Sequence, residues 1–159
     1  MYYLFFFDTS KNYYIIYSIF INYYITSIMN LDILKIASDT TNLKNILDFT
    51  HKGKSKNPMC GDEIIFMFKL SKNKIVDCGY EGKSCIYCQA SASLLSQISI
   101  NKKKSKIKEL CDDAKSFFEG NIKIMNKWKI MSKLFKEKNQ SRKECILLPF
   151  KAVKKIISL

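Results

Sequence analysis

The sequence predicts an α+β domain, a small antiparallel β-sheet packed against several α-helices, and three observations carry that prediction. Residues Glu63 to Gly82 alternate apolar and polar side chains around a short polar loop. Beyond Lys83 the apolar spacing changes to the three-and-four pattern of helices and recurs in segments to the C-terminus. The length, 159 residues, suffices for one domain with its own core, needing neither disulfides nor a metal to hold it.

Residues 1–28 stand apart from that domain, with seven of the nine tyrosines and a run from Tyr13 to Ile28 broken only by Ser18, Asn22, Thr26 and Ser27. The run falls short of the roughly 20 apolar residues of a membrane span and has no small-residue cleavage signature. It is read as a Tyr/Phe-rich N-terminal extension outside the fold, with the domain over residues 29–159.

Within the domain, Leu31, Leu34, Ile36, Leu43, Ile46 and Leu47 predict an amphipathic helix over 31–49, broken near Ser38-Asp39-Thr40-Thr41. His51 to Lys56 reads as a basic loop that delivers Cys60 on a turn. Two strands follow, Glu63–Leu70 and Lys74–Gly82, joined at Ser71-Lys72-Asn73. Ile64, Phe66, Phe68 and Leu70 share one face of the first; Val76, Cys78 and Tyr80 share one face of the second. Cys85 to Ile98 reads as an Ala- and Ser-rich helix whose small side chains permit close approach to the sheet. Helices are expected at about Ser105–Glu119 and Ile122–Phe135, with Gly120-Asn121 as the stop between them. Lys136 to Lys143 reads as a charged loop. Leu148, Ala152, Val153, Ile156 and Ile157 form the stripe of a last helix, Cys145–Ile157. Pro149 is expected in its first turn, where a missing N–H costs nothing, so Cys145 belongs at a helix entrance.

The formal charge is +13, which in a basic chain raises nucleic acid, an anionic surface or an acidic protein as partners. The lysines are spread over the whole chain, and no aromatic RNA-binding motif, zinc-finger spacing or helix-turn-helix accompanies them. A solvated surface and a docking field for an acidic protein are the readings kept; no nucleic acid and no membrane partner is expected. Six cysteines in a chain without the Gly/Pro-punctuated texture of secreted disulfide scaffolds place it in a reducing, cytoplasmic compartment.

Three of those cysteines and one aspartate can converge on a single ion or cluster. Cys60 and Asp62 lie in Asn57-Pro58-Met59-Cys60-Gly61-Asp62, Cys85 opens the small-residue helix, and Cys145 opens the last one. Three thiolates and one carboxylate are a soft donor set with one exchangeable oxygen arm, suited to a carrier more than to a permanent staple. Helix N-termini favour thiolate over thiol, and Lys83, Arg142 and Lys143 are expected to lower Cys85 and Cys145 further. A permanent structural zinc site uses the same ligands and is the competing reading.

These motifs, Asn57 to Asp62, then Gly82-Lys83-Ser84-Cys85 running into Gln89-Ala90-Ser91-Ala92-Ser93, then Cys145-Ile146-Leu147-Leu148-Pro149-Phe150, closely resemble the IscU/SufU (NifU N-terminal-like) iron-sulfur cluster assembly proteins. The resemblance runs from about residue 30 to the end. The long interval between Cys85 and Cys145 is similar to SufU, which carries an extra helical stretch. Two departures point the same way. Glu144 stands where IscU-type members place His before the third cysteine, and their Leu-Pro-Pro-Val-Lys chaperone-binding stretch is absent. The resemblance implies the α+β fold with Cys60, Asp62, Cys85 and Cys145 converging at one end to hold a transient iron-sulfur cluster or zinc. It also implies a cysteine desulfurase of SufS type as sulfur donor, and recipient apo iron-sulfur proteins or carriers. By the same resemblance Cys60 is the first choice for the sulfur acceptor and Cys145 the second. The protein is expected to be a non-enzymatic scaffold. The alternative is a zinc-dependent sulfurtransferase that stimulates the desulfurase without holding a cluster.

The remaining candidates receive plainer readings. Cys85 and Cys88 form a CxxC, a redox signature in some cytosolic proteins, but Cys88 is read as a spare buried thiol. Cys78 and Cys111 are core cysteines, His51 and Glu144 face solvent, and Trp128 with Phe117 and Phe118 is helix packing.

Overall fold

The computed structural model describes residues 31–121 and 127–158. Helix α1 is Leu31–Ala37; strands β1 His51–Lys56, β2 Glu63–Ser71 and β3 Lys74–Lys83 follow; then come α2 Ile86–Ser99, α3 Lys104–Phe118, two 3₁₀ helices at Lys129–Lys133 and Glu137–Arg142, and α4 Lys143–Ile157. The strands form one antiparallel sheet in the order β1-β2-β3. The α+β expectation holds: after the short α1 the three strands follow in succession, and the remaining helices come after them.

The β2–β3 hairpin follows its sequence signal closely. Lys72 and Asn73 both adopt positive φ, 47° and 64°, the backbone that a two-residue hairpin loop requires. Ile64, Phe66 and Phe68 are buried as expected, and Phe66 stacks on its cross-strand neighbour Tyr80 at 5.6 Å. The face of β3 differs from the expectation at one position. A bulge at Lys69/Leu70 pairs Leu70 with Ile75, so Ile75 joins Cys78 and Tyr80 in the core and Val76 is left 41% exposed. One extra residue on a bulged strand reverses the facing of everything beyond it.

The expected basic loop 51–56 is instead the edge strand β1, whose Lys52, Lys54 and Lys56 are exposed while Gly53 and Ser55 are buried. Lysine along an outer strand keeps foreign strands from pairing there, and with only glycine and serine inward the alternation carries no apolar signal. The inward pair fits because α4 crosses directly above: a Cβ on Gly53 would lie 2.3 Å from the Ala152 carbonyl oxygen and 2.7 Å from Ile156 Cγ1.

Only Leu31–Ala37 of the expected 31–49 helix is helical. Asp39 Oδ1 accepts from both the N–H (3.0 Å) and the hydroxyl (2.7 Å) of Thr41, turn chemistry that competes with helix. The chain then runs along the β3 edge, where the Asn42 carbonyl accepts from Tyr80 N–H at 3.0 Å. Ile46 packs on Gly79, covering the outer side of the sheet at the Met67–Gly79 pair.

Helix α3 ends where expected, the Asn121 N–H returning to the Ser116 carbonyl and the Gly120 N–H to that of Phe117. Of the helix expected over 122–135, residues 122–126 lie outside the described residues and 129–133 are 3₁₀. The expected charged loop contains the second 3₁₀ helix, held by Asn139, whose buried side-chain amide donates to the Leu134 carbonyl at 2.8 Å. Phe117, Phe118, Phe135 and Phe150 interlock at 5.1–5.9 Å, and Trp128 donates to Asp113 Oδ2 at 2.7 Å, the packing roles expected of these aromatics. Among the described residues no helix is long and apolar enough to cross a membrane.

The small-residue face of α2 serves α4. Ser91, fully buried, donates its hydroxyl to the Ile146 carbonyl at 2.6 Å, and Arg142 lies over the Tyr87 ring at 5.7 Å. Both contacts join the N-terminal halves of the two helices. Ser91→Ala should lower stability by about 1 kcal/mol through this lost bond, read as a reduced urea midpoint with unchanged slope. An unchanged midpoint would remove Ser91 as the fastening.

Candidate functional site

The site is built where three chain starts meet: the turn between β1 and β2, the start of α2 and the start of α4. The last β1–β2 pair is Lys56–Glu63, so residues 57–62 form a six-residue hairpin loop. It is closed by the Asn57 N–H donating to the Asp62 carbonyl at 2.8 Å and the Gly61 N–H donating to the Asn57 carbonyl at 2.9 Å. Asn57 Oδ1 accepts from Met59 N–H at 3.0 Å, a side-chain-closed turn. Gly61 takes φ 75°, a backbone that glycine reaches without strain. The loop therefore leaves Cys60 exposed at its tip and turns Asp62 inward, 7% exposed.

Cys85 is the N-cap of α2 in extended conformation, and its N–H donates to Asp62 Oδ1 at 3.1 Å. Cys145 is in the first turn of α4. Pro149 lies deeper, in the second turn and not the first as expected, so the Cys145 carbonyl has no N–H at the i+4 position. Pro149 is itself buried, and the next carbonyl, Ile146, accepts the Ser91 hydroxyl, which ties this stretch of α4 to α2 without replacing the missing bond at Cys145.

One sulfur of Cys60, one sulfur of Cys145 and one carboxylate oxygen of Asp62 all lie within 4.8 Å of one another. Cys85 is outside that triplet but attached to it, bonded to Asp62 through its amide and in hydrogen-bonding reach of the Cys145 thiol. Among the described residues, two buried side-chain polar atoms lack any partner, Asp62 Oδ2 and Ser84 Oγ, and both belong to this corner. An unpaired buried carboxylate oxygen is costly, and a cation beside it removes the cost. Soft sulfurs with one such oxygen fit zinc or iron.

The electrostatics depart from the expectation for helix-start thiols. Burial pushes Cys85 above the ordinary thiol value, outweighing the nearby Cys88 amide, which favours its thiolate. Burial, then Cys85, then Cys60 and Asp62 push Cys145 well above it. Lys83, Arg142 and Lys143 face solvent, too well hydrated to offset desolvation and negative neighbours. The cluster without a cation thus holds protons on its inner thiols.

The other candidates lie elsewhere. His51 opens β1 at the end opposite the loop and contacts Thr50 Oγ1 at 2.9 Å. Glu144 pairs with Lys151 at 2.6 Å in solvent. Cys78 and Cys111 are buried core thiols, the latter pushed up by burial to about 12. Ser84, part of Gly82-Lys83-Ser84-Cys85 but assigned no role from the sequence, joins the corner with its unpartnered hydroxyl; its place beside Cys85 is its one sequence signal.

The model of the NifU-like N terminal domain family matches residues 30–155. A protein of Thermotoga maritima named iron-sulfur cluster assembly scaffold protein IscU is 31% identical over 111 residues, 69% of this chain and 78% of that one. One of the same name from Streptococcus pyogenes serotype M1 is 31% identical over 74 residues, 46% of each chain. Among solved structures, a candidate iron-sulfur cluster assembly scaffold for the SUF system from Fervidobacterium islandicum superposes with a TM-score of 0.73 at 24% identity, covering 83% of this chain and 98% of that one. The N-terminal part of a NifU-like protein from Brucella abortus gives 0.69 at 22% identity, covering 84% and 94%.

Proposed function

The chain belongs to the NifU-like N-terminal domain family, that of the iron-sulfur cluster assembly scaffolds, and from this we propose that it accepts sulfur from a cysteine desulfurase and holds the growing cluster on Cys60, Asp62, Cys85 and Cys145. The observation that carries the proposal is the buried, partnerless Oδ2 of Asp62 beside the sulfurs of Cys60 and Cys145.

Each residue has a distinct task. Cys60 is the one exposed thiol of the four-residue set, on a loop that can swing, so it meets the donor. The Cys60 thiolate attacks the terminal sulfur of the desulfurase persulfide. The sulfur–sulfur bond there breaks, the donor cysteine leaves as thiolate, and Cys60 carries the sulfur as its own persulfide with no net oxidation. Cys145, whose sulfur is within 4.8 Å of that of Cys60, is the second choice of acceptor. Cys85 is the fixed donor, held by its amide bond to Asp62. Asp62 is the labile arm, since a carboxylate holds soft ions less firmly than sulfur does. Recipients are apo iron-sulfur proteins or carriers in a reducing cytoplasm, where six free thiols persist.

A second reading rests on the same donors, because three sulfurs and one oxygen also suit four-coordinate zinc: a zinc-bearing sulfur relay that speeds the desulfurase and never carries a cluster. Anaerobic purification separates the two. Coloured protein with a labile visible band supports the scaffold; colourless zinc protein that accelerates the desulfurase supports the relay. Zinc without effect on a desulfurase would leave only a structural ion and sink both.

Asp62→Ala should slow release of the bound metal or cluster to a chelator or apo acceptor by about tenfold, the effect of ~1.4 kcal/mol on the barrier. Release at the unaltered rate would remove Asp62 from the ligand set.

A further inference from the structure

The first turn of α2 carries a thiol that the proposed function leaves idle. Cys88 is the third residue of α2 and fully buried, directly beneath Cys85, the half-buried N-cap. The backbone amide of Cys88 faces the Cys85 sulfur, and Cys88 lies close enough to feel the charge of Cys85. Three residues of helix advance about 4.5 Å and leave their Cα atoms about 5 Å apart, inside the about 4.4–6.8 Å that a disulfide spans. One thiol toward the site opening and its partner sealed below is the layout of an attacked sulfur and a resolving one.

We propose that Cys85 and Cys88 form a dithiol–disulfide couple, a modification site at which a hydroperoxide oxidises Cys85 and Cys88 resolves the product. The Cys85 sulfur attacks the outer peroxide oxygen; the O–O bond breaks, the thiol proton passes to the departing oxygen so that alcohol or water leaves, and Cys85 becomes a sulfenic acid. The Cys88 sulfur then attacks the Cys85 sulfur, the S–O bond breaks, and water leaves with the Cys88 proton. Two thiols are oxidised by two electrons and one peroxide is reduced. The disulfide removes the Cys85 sulfur from the cluster corner while sparing it irreversible oxidation, and a small thiol restores it. Neither a desulfurase nor a cluster is required, so the couple stands or falls independently of the proposed function.

The rival partner for Cys85 is Cys145, whose thiol is also in reach. Tryptic cleavage separates them: Ser84–Lys102 contains Cys85 and Cys88 and no other cysteine, whereas Cys145 falls in Glu144–Lys151. The full-length metal-free protein, treated with hydrogen peroxide and then alkylated, should yield the first peptide short of two hydrogens and unalkylated, reversibly with dithiothreitol. Cys145→Ala should keep that loss. Cys88→Ala should abolish it and leave Cys85 carrying two oxygens as sulfinic acid. Finding Cys85 joined to the Cys145 peptide, or oxidised to sulfinic acid in the unmodified chain, overturns the couple; the unmodified chain alone gives this answer, whatever the variants do.

Discussion

Cys60→Ser should reduce sulfur acceptance from a desulfurase by about a hundredfold or more, because a serine hydroxyl is a far weaker nucleophile than a thiolate and cannot carry the sulfur as a persulfide. The same variant should fold as the parent does. Residue 60 is exposed at a loop tip whose closing bonds come from Asn57, Gly61 and Asp62, and substitutions at such positions stay within about 0.5 kcal/mol. Persulfide labelling after incubation with desulfurase and cysteine, with a urea melt alongside, reads both. Full labelling of Cys60→Ser together with none of Cys145→Ser would transfer the acceptor role to the helix thiol.

Gly53→Ala should cost about 3 kcal/mol, the upper part of the overpacking range, although alanine for glycine inside a strand ordinarily gains about 0.5–1 kcal/mol. The sign reverses because the added Cβ would sit 2.3 Å from the Ala152 carbonyl oxygen, and backbone yields far less than a side-chain tip. With a urea slope of about 2 kcal/mol per molar for a domain of this size, the midpoint should fall by about 1.5 M. Since α4 carries Cys145 and β1 leads into the Cys60 loop, the strain should also weaken metal binding. A midpoint that holds or rises would show that α4 can lift off β1 freely.

The parts of this molecule legible in its sequence are those where residue chemistry and burial agree. Ile64, Phe66 and Phe68 alternate and are buried, Asn73 is where a left-handed residue is needed, and the Ala/Ser stretch after Cys85 is helical. Strand β1 was hidden because its inward residues are Gly53 and Ser55, chosen by the space under α4, which is a property of the tertiary fold. Pro149 sits a turn deeper than expected for a related reason: it is buried in the packed body of α4, a tertiary environment its local sequence does not show. At the site, residue types and order announced a soft donor set, and Cys60, Asp62 and Cys145 do come together. Proton affinity is not legible in the sequence, since burial of Cys85 and Cys145 is invisible in a linear string and outweighs both helix ends and lysines.

Pro149 gives the chain an uneven stiffness. With no donor reaching back to the oxygen of residue 145, the opening turn of α4 is joined to the rest of its helix by one bond fewer than an unbroken helix would supply, and unwinding it is correspondingly cheaper. Cys145 thus rides on the more easily unwound turn, while Cys85 is anchored through its amide bond to Asp62. Were a cluster held there as proposed, its grip on the helix side would yield before its grip at Cys85, and it would be surrendered stepwise with the body of the protein left intact.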